Sequence, residues 1–118
     1  MIQHISAVTF AVRDMARSIE FYGKLGFDLH YGGDRAALSS LKAGEAFANL
    51  LASAGYERGW WGRAIFRVDD VDAHYRALQA QGLTIQSPQD APWGERFFHV
   101  TDPDGHELSF AELLPARP

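Results

Sequence analysis

The chain of 118 residues contains no cysteine. That excludes disulfide staples, thiolate metal ligands and a thiol nucleophile, and it fits a cytoplasmic location. No apolar run approaches the roughly 18 residues that a membrane-spanning helix needs. The N-terminus opens into a strand pattern with neither the basic region nor the apolar stretch of a signal peptide, so none is expected. A GxSxG elbow, a phosphate loop and an HExxH helix are also missing. Eleven Lys and Arg stand against 15 Asp and Glu, a net charge of −4. This leaves no cationic surplus to draw nucleic acid or anionic lipid, and it is compatible with a cationic ligand. The five histidines, His4, His30, His74, His99 and His106, fall on different segments with no pair at metal-ligand spacing. His74 lies on a helix among polar neighbours and reads as solvated.

What the chain does have is a repeat. Val8–Phe27 slid forward by 56 positions falls on Ala64–Leu83. Phe10 meets Phe66, Val12 meets Val68, Asp14 meets Asp70, Ile19 meets Tyr75, Tyr22 meets Leu78 and Gly26 meets Gly82. A period of about half the chain points to a pseudo-two-fold domain, not a solenoid. With 47% hydrophobic and 22% charged residues, the composition is that of one soluble domain spanning residues 1–118. Its first module covers about 1–54 and its second about 60–114.

Each copy reads as a strand, an Asp N-cap, an amphipathic helix, a stopping glycine and further strands. In the first, Ile5–Val12 alternates on a period of two, with Val8, Phe10 and Val12 on one face and Ala7, Thr9 and Ala11 on the other. Met15, Ile19, Tyr22 and Leu25 form one helical stripe, and Gly26 ends it. Strands are expected over Phe27–Tyr31, Ala36–Leu41 and Glu45–Leu51, followed by a loop, Ser53–Gly62, that carries Trp60 and Trp61. In the second, Asp70 caps a helix that Gly82 ends, and Leu83–Gln86 is expected as a strand. Ser87–Glu95 reads as a loop containing Trp93. Arg96–Thr101 and Glu107–Glu112 are strands joined by the turn Asp102-Pro103-Asp104-Gly105.

Two βαβββ modules, the run Phe21-Tyr22-x-x-Leu25-Gly26-Phe27 and the late Asp-Pro-Asp-Gly turn resemble the vicinal oxygen chelate superfamily. This is the group of glyoxalase I, extradiol dioxygenases, fosfomycin-resistance enzymes and bleomycin-resistance proteins. The resemblance covers nearly the whole chain. It implies an α+β, glyoxalase-like fold: curled mixed sheets around a cavity, completed in a homodimer. It also implies a divalent metal held by four His, Gln or Glu side chains, whose positions here are Ala7, Asn49, Arg63 and Ser109. Alanine cannot ligate and a guanidinium has no lone pair to offer. Asn49 and Ser109 are weak neutral oxygens. The family's metal site is therefore expected to be absent, and no cofactor is expected.

Strand parity supplies a candidate lining instead. Thr9 from the first strand, Phe47 and Asn49 from another, Arg63 and Ile65, Phe97 and Ser109 all fall opposite the core residues, and Trp60, Trp61 and Trp93 sit on loops. Arg63 can clamp an anionic group, or it can pair with Glu107 or Glu45 and close the space. The tryptophans can stack on a ligand or be buried between subunits. His99 and Glu107 are the candidate acid–base residues. The favoured reading is a metal-independent protein close to the bleomycin-resistance branch. It would sequester an aromatic or polycyclic compound at a dimer interface, with antibiotic resistance as the family-implied role. The alternative is a glyoxalase- or dioxygenase-type lyase or isomerase that uses an unaligned metal or a metal-free acid–base pair. A third is an interaction module with a vestigial cavity. Neither nucleic acid nor membrane is expected as a partner.

Overall fold

The repeat is built as two copies of one strand–helix–strand plan. A computed structural model describes residues 1–115. The first copy runs β1 (Ala7–Val12), α1 (Met15–Leu25), β2 (Asp28–Tyr31), β3 (Leu38–Ala43) and β4 (Ala46–Ala52). The second runs β5 (Arg63–Arg67), α2 (Val71–Ala80), β6 (Gln89–Ala91), β7 (Glu95–Thr101) and β8 (Glu107–Leu113). Each copy makes one open four-stranded sheet, ordered β1-β4-β3-β2 and β5-β8-β7-β6. The first strand of each pairs parallel with the last, and the remaining pairs are antiparallel. The fold is thus α+β, with two mixed sheets and two helices in two similar modules. Among the described residues no helix is long and apolar enough to cross a membrane.

Both helices start and stop by the same devices. The Asp14 carboxylate accepts the Arg17 backbone N–H at 3.1 Å, and Asp70 accepts that of Ala73 at 3.0 Å. Each cap satisfies one amide that has no partner inside the helix. At the other end Gly26 and Gly82 take φ of 107° and 85°, a region that any Cβ disfavours. The reversal lets the Phe27 amide bond Tyr22 O at 3.1 Å and the Leu83 amide bond Leu78 O at 3.2 Å.

Beyond the helices the repeat slips. The strand expected over Leu83–Gln86 does not form, and its counterpart is β6, inside the stretch read as a loop. Leu83 and Ile85 are half-buried while Thr84 and Gln86 are exposed, so the alternation in the sequence records burial and not pairing. The partner edge on β7 is reached only across the tight Pro92-Trp93-Gly94 turn, which pairs Ala91 with Glu95.

The described chain divides into two compact units, Met1–Trp60 with Asp102–His106, and Trp61–Thr101 with the chain from Glu107 onward. In the first, α1 buries Met15, Tyr22 and Leu25, and the sheet buries Phe10, Val12, Leu41, Ala48 and Leu50. The β7–β8 turn belongs to this unit and is held by two buried carboxylates. Asp102 accepts the Tyr22 hydroxyl at 2.7 Å and the amides of Asp104 and His106 at 2.9 and 2.8 Å. Asp104 accepts the Arg13 amide at 3.1 Å and its Nε at 2.8 Å, with Arg17 Nη2 at 3.4 Å and the Ser18 hydroxyl at 3.4 Å. His106, which the sequence leaves beside the turn, is buried with Nε2 2.7 Å from the Ala11 carbonyl. That contact makes Nε2 the protonated ring nitrogen.

In the second unit Val71 and Leu78 of α2 are buried, together with Phe98, Val100, Leu108 and Phe110 of the sheet. His74 is not the solvated side chain expected, because its ring lies 4.5 Å from that of Phe110. Position 74 falls on the helix face turned to the sheet, three residues after buried Val71 and four before Leu78.

Burial pushes the Asp104 carboxyl up, but the Arg13 side-chain and backbone hydrogen bonds and the charges of Arg17 and Arg13 outweigh it. The carboxyl ends below its ordinary value. A depressed carboxylate contributes stability above its unfolded pKa of about 3.9 and loses it as pH falls through the folded value. Asp104→Asn is therefore expected to lower stability at neutral pH by roughly 1–3 kcal/mol. Urea denaturation should show the wild-type advantage shrinking as pH is taken below about 4, and an advantage independent of pH would contradict the assignment.

Candidate functional site

The face of the second sheet turned away from α2 is set by strand register. Arg63 pairs with Glu107, Ile65 with Ser109 and Arg67 with Ala111. On the other side of β8, Ser109 pairs with His99 and Ala111 with Phe97. Cross-strand partners share a face, and the alternate residues Leu108, Phe110, Phe98 and Val100 are the buried core. Small residues therefore stand on the middle strand and large ones on its two neighbours. The result is a groove floored by Ser109 and Ala111, with Ile65 along one side and Phe97 and His99 along the other.

Trp93 extends the aromatic side. Its indole lies 6.3 Å from the Phe97 ring at an interplanar angle of 18°, and Nε1 donates to Glu95 Oε1 at 2.8 Å. The groove contains a cavity of about 80 Å³ whose lining includes Arg63, Ile65, Trp93, Phe97, His99 and Ser109. Sites that enclose a whole drug-sized molecule measure roughly 300–1,000 Å³. This one takes a ring or side arm, and the rest of a larger ligand would lie outside it.

An arginine–glutamate pair closes each end. Arg63 Nη2 donates to Glu107 Oε1 at 3.1 Å, with side chains 38% and 23% exposed. Arg67 Nη2 meets Glu95 Oε2 at 3.4 Å, with side chains 55% and 21% exposed. Of the two partners that the sequence leaves open for Arg63, Glu107 is in contact with it. His99 Nδ1 shares a hydrogen bond with the Ser109 hydroxyl and lies 3.7 Å from Glu107 Oε1. Serine and carboxylate thus approach the same ring nitrogen. A relay from hydroxyl through imidazole to carboxylate needs opposite nitrogens, so this trio is not a hydrolytic triad. Burial pushes the His99 pKa down and the Arg63 charge lowers it further, against the opposing pull of Glu107.

The groove brings together Arg63, Ile65, Trp93, Phe97, Ser109 and His99, with Glu107 attached through Arg63. The other sequence candidates are not among the residues that line this cavity. Thr9 and Asn49 are in register on the first unit's sheet, where Asn49 Oδ1 accepts the Ser40 hydroxyl at 2.7 Å. Phe47 packs 5.1 Å from the His30 ring. Trp60 and Trp61 are exposed on the loop after β4. Sequence reasoning missed two groove residues, Glu95 and Ala111. Parity pointed to Ala111, two positions beyond Ser109, but an alanine carries no chemistry to attract notice. Glu95 fell inside the supposed loop.

The four positions that the family resemblance assigns to metal ligands do not fit a metal. Ala7 has no donor atom, and Arg63 is a cation tied to Glu107. Ser109 is engaged by His99, and the Asn49 oxygen by Ser40. Among the described residues no three His, Asp or Glu side chains are grouped to hold a metal ion.

The model of the Glyoxalase/Bleomycin resistance protein/Dioxygenase superfamily matches residues 2–110. No curated protein sequence matches significantly. Among solved structures, a bleomycin-binding protein complexed with bleomycin superposes with a TM-score of 0.79 at 23% identity, covering 94% of this chain and 98% of the other. A bleomycin resistance determinant encoded on transposon Tn5 gives 0.82 at 23%, over the same shares. Lactoylglutathione lyase from Agrobacterium tumefaciens gives 0.78 at 18%, covering 94% of each chain. At these identities the likeness establishes the glyoxalase-like fold and nothing finer.

His99 is expected to titrate below its ordinary value of about 6.5, and Arg63→Gln should raise the midpoint by removing a neighbouring cation. NMR titration of the ring protons in the two proteins checks both. A wild-type midpoint at or above the ordinary value, or one indifferent to the substitution, would contradict this geometry.

Proposed function

Because the chain belongs to the Glyoxalase/Bleomycin resistance protein/Dioxygenase superfamily, we propose that it is a metal-independent small-molecule-binding protein of the bleomycin-resistance type. It sequesters an aromatic or polycyclic compound in the cytoplasm, as a homodimer whose interface completes the site. Resistance to a toxic compound is the corresponding role. The observation that carries this reading is the groove of the second unit, where Ile65, Phe97 and Trp93 flank a small-residue floor, the His99–Ser109 pair supplies the polar groups within it and an arginine–glutamate pair closes each end. That is the make-up of a small-molecule site. The donor chemistry at the family's metal positions supports binding without a metal.

Such a protein acts by mass action. Each groove removes one molecule from solution and no bond is broken, so protection scales with the amount of protein. A second reading, a lyase or isomerase, draws on His99, a neutral imidazole that can serve as a general base inside the groove. Glu107, 3.7 Å from the His99 ring nitrogen, would then balance the imidazolium that forms.

Titration with planar aromatic compounds under tryptophan fluorescence is expected to give saturable quenching that chelator leaves unchanged, with the compound recovered intact by mass spectrometry. Ala111→Phe, which fills the floor, should weaken that binding at least about tenfold while the fold is retained. Turnover of the compound that His99→Ala abolishes would replace the binding reading with the catalytic one.

A further inference from the structure

The mismatch between the donor set and a metal ion leads one step further. Resting on the reading above that the groove takes a small molecule, we propose that its ligand is a planar aromatic carboxylate, received by the Arg63 guanidinium at a position where the family resemblance puts a metal ligand. A permanent organic cation stands there, and a carboxylate is the group its planar fork fits.

Three observations converge. The first is the direction of charge at the ends of the groove. In both ion pairs the arginine is the more exposed partner, 38% against 23% for Arg63–Glu107 and 55% against 21% for Arg67–Glu95. At the Arg63 end the guanidinium lines the cavity and its Glu107 partner does not, so an anionic group is favoured there, whereas at the other end it is Glu95 that lines the cavity. Pairs as exposed as these contribute little in water, and an incoming carboxylate can share the guanidinium at low cost.

The second is the shape between those ends. Ser109 and Ala111 leave a shallow floor, Ile65 and Phe97 flank it, and Trp93 lies nearly parallel to Phe97. This space suits the flat apolar body of an aromatic ring better than a branched or strongly hydrated group. The cavity of about 80 Å³ holds a ring or side arm, not a whole drug-sized molecule.

The third is that the two ends differ. Arg63 lines the cavity, whereas Arg67 does not. Beside Arg63 stand Ser109 and His99, hydrogen-bonded to each other, so neutral polar groups adjoin the guanidinium at this end, whereas at the other end the polar group in the lining is the Glu95 carboxylate. The acid group of the ligand is thereby assigned to Arg63 and its ring to the Phe97 and Trp93 side.

Calorimetric titration of the full chain with 1-naphthoate, 1-naphthamide and 1-naphthylmethylammonium separates this inference from the reading beneath it. These probes share one ring system and differ in charge. The expected result is that naphthoate binds at least about tenfold tighter than the amide, and that the ammonium binds weakest. Arg63→Gln should erase the advantage of the acid over the amide, and Arg63→Lys should restore part of it. Equal affinities for acid and amide, or tightest binding of the ammonium, would overturn the carboxylate assignment while small-molecule binding stands. If none of the three binds a wild-type protein that is folded by circular dichroism, the assignment falls together with that reading.

Discussion

The two-residue period of β8 is the constraint on which the groove depends. Leu108 and Phe110 face α2 and are buried, so Ser109 and Ala111 must face the other way. Because β8 is flanked by β5 and β7, whatever it shows on that face becomes a floor. Two small side chains there turn a flat sheet into a trough, and the register then decides the walls, Ile65 opposite Ser109 and Phe97 opposite Ala111. A slip of one residue would put Leu108 and Phe110 on the open face and leave neither a core beneath α2 nor a groove.

The first unit depends on polar contacts of long sequence range. Asp102 and Asp104 lie in one turn, yet they bind Tyr22, Ser18 and Arg13, some 80 to 91 residues earlier in the chain. Burying a carboxylate is costly unless its oxygens are satisfied. Asp102 receives a hydroxyl and two amides, and Asp104 receives an amide, two guanidinium groups and a hydroxyl. Burial and the Asp102 charge push the Tyr22 hydroxyl well above its ordinary pKa, so it stays a donor throughout the working range. These contacts place the turn between β7 and β8, the two strands that carry most of the groove.

Much of this was legible in the residues. The 56-position repeat revealed the two modules, the Asp caps and the glycine stops, because those devices are local and each has one physical requirement. Alternation placed Arg63, Ile65, Phe97, His99 and Ser109 opposite the core. Pairing was less legible. Leu83–Gln86 alternates like a strand without being one, and β6 forms where proline and polar residues suggested a loop. Its position is set by the edge of β7 and a three-residue turn, not by its own composition. Glu95, which holds both Trp93 and Arg67, was hidden by the same error. The roles of Asp102 and Asp104 were illegible because nothing local distinguishes a turn carboxylate in water from one buried against a distant helix.

Four positions where a metalloenzyme of this fold would carry donors hold an alanine, an asparagine, an arginine and a serine, and the groove around two of them is apolar with charged ends. Binding in such a groove requires no metal. Native mass spectrometry of the tag-free protein, equilibrated with zinc, nickel, manganese and iron(II) before buffer exchange, addresses that directly. The expected result is the mass of the bare polypeptide assembly whichever metal was offered. A stoichiometric adduct of one metal, removed by chelator and absent in a His99→Ala variant, would contradict it and place a metal centre in the groove.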